Sequence, residues 1–314
     1  MRNKRLFVGF SLALLLLISI ETYIYINNSE QKKEDVKLSF VLTGDNLDKW
    51  ENLVAGAETA AIDEDCIVDF INSPVEYGFE GEVENIERQL DEGADYVMVA
   101  SSDYQAMKEY VKATDYADKI VFVKNGLYKA DKTSILTNDY QLGCDFGNYI
   151  IDNCQAKKLI MVSTKEDINT VEIREAIEET LKNSSINVEY RLMSATSGTL
   201  NQSMYNLGQS GLYNGFITLD NETMEAAAKA QSKLKAKVLV YSVDNSREAV
   251  YYLDSNDINA VAFEDDYSLG YLAVCEALDK KVSTVYDVGA LYYITDKDSI
   301  HSEQMEKVLF PFVK

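Results

Sequence analysis

The chain has 314 residues, 46% hydrophobic and 26% charged, enough apolar material for two domains or one large bilobed one. Asp and Glu outnumber Lys and Arg 52 to 30, a formal net charge of −22, which excludes duplex DNA and disfavours anionic membrane surfaces, since basic side chains hold both. One histidine, His301, in a polar stretch, and four scattered cysteines, Cys66, Cys144, Cys154 and Cys275, leave no multi-histidine zinc site, no Cys-x-x-Cys and no Ser-His-Asp scheme.

In chain order, Arg2, Lys4 and Arg5 precede an uncharged run at 6–20, and apolar character resumes after Glu21-Thr22 as Tyr23-Ile24-Tyr25-Ile26. Residues 6–26 are therefore long enough to cross about 30 Å of hydrocarbon. The basic residues before the run keep that end inside. This reads as a cytoplasmic tail (1–5), a single-pass signal anchor in the cell membrane (6–26), a polar tether (27–35) and an extracytoplasmic main domain. A cleaved secretory signal is the alternative. Residues 1–35 hold five basic and four acidic residues, so all the net negative charge belongs to the exported part.

Beyond the tether, apolar runs of strand length alternate with helical stretches. Strands are expected at 37–42, 66–71, 96–100 and 119–123, with helices around Trp50 to Ala57 and at 82–92 and 104–116. The cycle restarts with helices at 140–154, 170–183, 200–207, 222–234, 246–253 and 267–280. They are interleaved with strands at 159–163, 188–192, 215–219, 237–242, 259–263 and 284–288. Continuously apolar strands between helices indicate parallel sheets covered on both faces. So many units that restart midway point to an α/β protein of two doubly wound lobes. In such sheets ligands bind beyond the carboxyl ends of the strands. The polar loops there carry no phosphate-cradling glycine pattern, so no nucleotide or other cofactor is expected. The acidic runs 63–65 and 264–266 lack the spacing of a calcium loop, and no metal site is expected.

Four segments, LVAGAETAA (53–61), GADYVMVASSD (93–103), NDYQLG (138–143) and YSLGYLAV (267–274), resemble in order and spacing the type I periplasmic binding-protein family, the ribose/galactose-type sugar-binding proteins. The resemblance covers about residues 36–295. It implies lobe 1 from 36–136 and 264–288, and lobe 2 from 137–263 and 289–296, followed by a C-terminal segment, 297–314. Three hinge crossings are implied near 136–138, 263–264 and 288–292. Position by position it implies a ligand site of Thr43, Leu47, Trp50, Lys124, Asn125, Arg174, Asp220, Asp244 and Glu264. Trp50, the chain's only tryptophan, would face a sugar ring, or else anchor the first helix. Arg174 would donate paired hydrogen bonds, or else pair with Glu175 or Glu178. Asp244 would accept from the ligand. Lys124-Asn125, Asp220 and Glu264 depart from the family's usual Asp-Arg, Asn and Gln. That surplus of carboxylates suits an amino sugar or another cationic polyol better than a neutral sugar.

The implied function is binding of a small sugar-like ligand between the lobes with hinge closure. The protein would be a membrane-tethered solute-binding protein for ABC-type uptake, with a membrane permease as partner. A sensory protein signalling to a membrane histidine kinase is the alternative, and a carboxylate-based hydrolase a further one. With no nucleophile–base constellation, the chain does not read as an enzyme.

Overall fold

The computed structural model describes residues 36–302 apart from 45, 125, 127–133, 156, 245 and 279–290, together with 305 and 308. The chain divides into units 1–36 and 37–314, and the second carries every element below. The expected tail, anchor and tether, and the expected strand at 284–288, lie outside the described residues. Among the described residues no helix is long and apolar enough to cross a membrane.

The first sheet has the order β2-β1-β3-β4-β5, all parallel: β1 Lys37–Thr43, β2 Ile67–Ser73, β3 Tyr96–Ala100, β4 Ile120–Val123 and β5 Ser134–Ile135. The second has the order β7-β6-β8-β9-β10-β11: β6 Lys158–Ser163, β7 Asn187–Leu192, β8 Gly215–Thr218, β9 Leu239–Val243, β10 Ala260–Glu264 and β11 Tyr292–Asp296. The helices are α1 Glu51–Glu64, α2 Gly78–Asp91, α3 Tyr104–Ala113, α4 Asp139–Asn153, α5 Ile168–Lys182, α6 Ser197–Gln209, α7 Asn221–Gln231, α8 Arg247–Asp254 and α9 Asp266–Ala277.

The central strands are largely apolar because both faces are covered, with Ser39, Thr218 and Ser242 as buried polar exceptions. In β6, Leu159 and Met161 join Phe146 and Ile177 on one face of the second sheet, while Ile160 and Val162 join Met204 and Phe216 on the other. Coverage on both faces fails at the edges. Strand β7 alternates, with Asn187, Glu189 and Arg191 exposed between half-buried Val188 and Tyr190, and β2 is also partly open. All-parallel pairing fails at one edge as well, since β11 is antiparallel to β10. The chain leaves β10 for α9, which packs on α1, and returns beside the point of departure, where Asp265 N–H donates to the Leu291 carbonyl (2.9 Å). A strand starting next to the end of its neighbour must run the opposite way.

Three glycines in the segments that carry the resemblance sit at helix crossings. A Cβ on Gly56 would lie 1.9 Å from the Tyr267 carbonyl oxygen, and one on Gly270 would lie 2.0 Å from that of Leu53, so α1 and α9 meet backbone to backbone. Gly143 of α4 likewise lies against Ile173 and Ala176 of α5, with 2.6 Å left for a Cβ. None of the four cysteines is in a disulfide; Cys275 is buried, whereas Cys66, Cys144 and Cys154 are half-buried. His301 lies on the surface, 3.2 Å from Asp254.

Candidate functional site

Most strand-end loops turn directly into helices, and their polar residues cap them. Asp103 caps α3, Asn138 α4, Asp167 α5, Asp220 α7, Ser246 α8 and Asp265 α9, each accepting from a backbone N–H three residues on at 2.9–3.2 Å or, for Asp220, 2.8 Å. These caps hold the strand ends rigid.

At the end of β1, Thr43 is buried: its hydroxyl donates to Glu82 (2.7 Å), and its carbonyl accepts from the Trp50 indole N–H (3.2 Å). Trp50 is 5% exposed, with the Lys49 ammonium 5.0 Å over its ring. Leu47 is half-buried and its carbonyl holds the Trp50 backbone N–H. Glu82, fully buried on α2, also accepts from the Ser101 hydroxyl and from the Ser102 N–H (2.9 Å) and hydroxyl (2.6 Å). It ties the ends of β1 and β3 together, and the sequence reading missed it.

Where the two sheets are joined, Lys124 follows β4 with φ +66°. Its ammonium pairs with Glu264, at the end of β10, and with Asp266 (2.5 Å). Burial pulls the lysine pKa down, but Asp266 and Glu264 outweigh burial and the net shift is upward. The Asn169 amide, at the start of α5, donates to the Lys124 carbonyl (3.2 Å) and to Asp139. Asp139 is 1% exposed; burial, with Glu264 nearby, pushes its carboxyl well above the usual range, and its Oδ1 has no hydrogen-bond partner. Asp139, Asn169 and Asp266 were not among the expected site residues. Asn125 lies outside the described residues.

In the second sheet, Asp220 follows β8 and is saturated. Ser163 Oγ (2.7 Å) and the N–H (2.5 Å) and hydroxyl (3.2 Å) of Thr164 donate to one oxygen, and Thr223 donates twice to the other. Asp244, after the adjacent β9, is 8% exposed. One oxygen accepts from Ser246 N–H (2.5 Å), and Oδ2 has no partner. Burial pushes its carboxyl up to about 6, with the charge of Asp220 adding and the hydrogen bonds of Ser246 and Asn221 opposing. Arg174 stacks on Tyr190, with 4.6 Å from guanidinium to ring centre, and reaches Glu166 and Glu175 at 3.5 Å each. Its buried Nε–H has no partner.

The structure thus brings Lys124 and Glu264 into contact and sets Asp220 and Asp244 at neighbouring strand ends, where Asp244 feels the charge of Asp220. Arg174 is connected to that pair through Tyr190, which lies in the field of both Arg174 and Asp220. Among the described residues, no hydrogen bond or ring contact joins Trp50 to Arg174, Asp220 or Asp244. None of the described His, Cys, Asp and Glu side chains form a group of three that could hold a metal ion. Unpartnered acceptors on Asp244 and Asp139 and an unpartnered donor on Arg174 are groups able to hydrogen-bond a polar ligand.

Solved structures with the same fold include a carbohydrate-transporter solute-binding protein from Agrobacterium radiobacter in complex with D-arabinose. It is 17% identical with a TM-score of 0.73, covering 88% of this chain and 99% of that one. An ABC-transporter solute-binding protein from Agrobacterium vitis with bound D-fucose is 18% identical (TM-score 0.73; 87% and 100% covered). A sugar transporter from Clostridium phytofermentans is 20% identical (TM-score 0.65; 84% and 100% covered). No curated protein sequence matches the chain. Residues 38–280 match the family described as periplasmic binding protein domain, a span that runs from β1 past α9 and takes in both sheets. With two wound sheets, capped strand ends and that match, the chain belongs to the periplasmic binding protein family, type I, whose structural neighbours bind sugars.

Proposed function

We propose that this protein is an extracytoplasmic solute-binding protein that takes a small sugar-like ligand between its two lobes and presents it to an ABC-type membrane permease. Residues 6–26 would tether it to the membrane as a single-pass anchor, and lobe closure would occur about the segments near 136–138, 263–264 and 288–292. The observation that carries the reading is the Asp244 carboxylate: buried at a strand end, with one oxygen unpartnered, beside the rigid, saturated Asp220. A buried acceptor without a donor costs about 1–3 kcal/mol, which a ligand hydroxyl or amine would recover. Family membership and the sugar complexes of the structural neighbours support the ligand class. The Asn169 amide, bridging the Lys124 carbonyl and Asp139, supports a hinge that moves as a unit.

The test is thermal melting and calorimetry of the full-length chain against pentoses, hexoses and amino sugars. A ligand at 100 times its Kd stabilises by about 2.7 kcal/mol. Asp244→Ala should abolish that shift. If none of these compounds shifts the melting temperature, the sugar-binding reading fails.

A further inference from the structure

Charge at the strand ends points further, on the footing of the sugar-binding reading just given. We infer that the ligand is a cyclic polyol bearing a protonated amine, with the ammonium seated on Asp244 Oδ2 and a ring oxygen or hydroxyl accepting from Arg174 Nε–H.

The first ground is that the nearby cations are already matched. Lys124 is held by Glu264 and Asp266, Arg174 by Glu166 and Glu175, and Lys165 by Asp167 at 2.9 Å. Among the described residues no cation forms an ion pair with Asp244. The donors to its occupied oxygen are neutral, the Ser246 N–H at 2.5 Å among them, and Oδ2 has no partner.

The second ground is the neighbour. Every donor to Asp220 is a hydroxyl or a backbone N–H, so its charge is hydrogen-bonded but not cancelled by direct pairing. Lys165 feels that charge only at a distance while it pairs with Asp167. Asp244 is therefore an anion buried beside a second anion. The upward shift of its carboxyl, caused by burial with Asp220 adding, is the expected consequence.

A neutral hydroxyl would satisfy the open oxygen and leave the charge uncompensated. An ammonium satisfies both, because a charge-assisted hydrogen bond is roughly twice as strong as a neutral one. A buried charge is tolerated when it is paired. Arg174 Nε supplies the complementary donor, so the site combines a cation seat with an oxygen seat.

Matched pairs decide the matter in calorimetry on the full-length chain at pH 7.5: glucosamine against glucose and N-acetylglucosamine, and galactosamine against galactose. One amino sugar should bind at least ten times more tightly than each of its neutral counterparts. Asp244→Asn should remove that preference, lowering the amino-sugar affinity more than tenfold so that it no longer exceeds that of the neutral counterparts. The variant is expected to fold, since it removes a buried uncompensated charge. Neutral sugars binding as tightly as their amino counterparts would overturn the cation seat and leave the sugar-binding reading standing. An amine preference that survives Asp244→Asn would overturn its assignment to Asp244. No binding by any of these sugars would overturn the cation seat, and the wider panel with pentoses then decides the sugar-binding reading by itself.

Discussion

Replacing Gly270 by alanine tests the argument that the crossing of α1 and α9 is a backbone contact. The new methyl carbon would lie 2.0 Å from the Leu53 carbonyl oxygen, 2.8 Å from its carbon and 3.1 Å from the Ala57 nitrogen. These are parts of a helix backbone and cannot swing aside as a side-chain tip would. Non-bonded carbons sit at about 3.5–4.0 Å, so the two helices must separate by roughly 1 Å or more along a buried seam. Overpacking of this kind costs about 1–3 kcal/mol, and the loss of contact along the seam places this site at or above the upper end. Alanine recovers up to about 1 kcal/mol of helix propensity. A net loss of about 2–3 kcal/mol remains, which for a domain of this size lowers the melting temperature by about 4–10 °C. Calorimetric melting of the variant beside Gly198→Ala is the assay. Gly198 lies in α6 with nothing within 4 Å of a new Cβ, so that control should be neutral or slightly stabilised. If Gly270→Ala melts with or above the wild type, propensity has outweighed packing and the backbone contact does not constrain the fold.

Three other substitutions probe the buried carboxylates. Lys124→Met would leave Glu264 and Asp266 together without their shared cation; the expected loss is about 3–5 kcal/mol, read as a lower urea midpoint. Glu82→Gln would turn a donor toward groups that now donate to the carboxylate, Thr43, Ser101 and Ser102, and should cost about 2 kcal/mol in the same assay. Asp244→Asn should do the opposite, in a way that depends on pH. The carboxyl of Asp244 is raised in the folded state from 3.8 to about 6, so its ionisation opposes folding. That cost is absent below about pH 4, grows as pH rises to 6 and is constant above, reaching at most about 3 kcal/mol. In ligand-free protein the variant should therefore melt higher than wild type at pH 7.5 and together with it at pH 4; an equal gap at both would refute the account.

Central strands were legible because burial on two faces leaves a continuous apolar run: β3 lies at Tyr96–Ala100, where the sequence places it. Strand β5, two residues long, carries no such signal, and the direction of β11 depends on where the chain re-enters the sheet. The stripe through Trp50, Leu53 and Ala57 indicates burial of the indole, but not that its N–H is spent on Thr43. Polar residues after strands were read as potential ligand groups. In Asp220 the same side chain caps α7 and braces Thr164, and the cap is visible in the sequence only as an Asp before a helix. Glu82 and Asn169 gave no signal. Their partners lie far away in sequence, at Thr43 and at Lys124, and only the folded sheet order makes them neighbours.

The acidity of the chain takes three physically different forms around the strand ends. Glu82 and Asp220 are anions whose oxygens are surrounded by hydroxyls and backbone N–H groups, an arrangement that fixes loop geometry and leaves little capacity for anything else. Glu264 and Asp266 are anions consumed by Lys124, so they lock the join between the sheets. Asp244 has one oxygen held by neutral donors and one open, no ion pair among the described residues, and a carboxyl shifted upward by burial. The first two forms add stability on their own; the third subtracts it until something binds. A carboxylate that costs stability in the empty protein, held in place by rigid, fully satisfied neighbours, is accounted for by a ligand, and the sign of its cost says that the ligand should bring a positive charge.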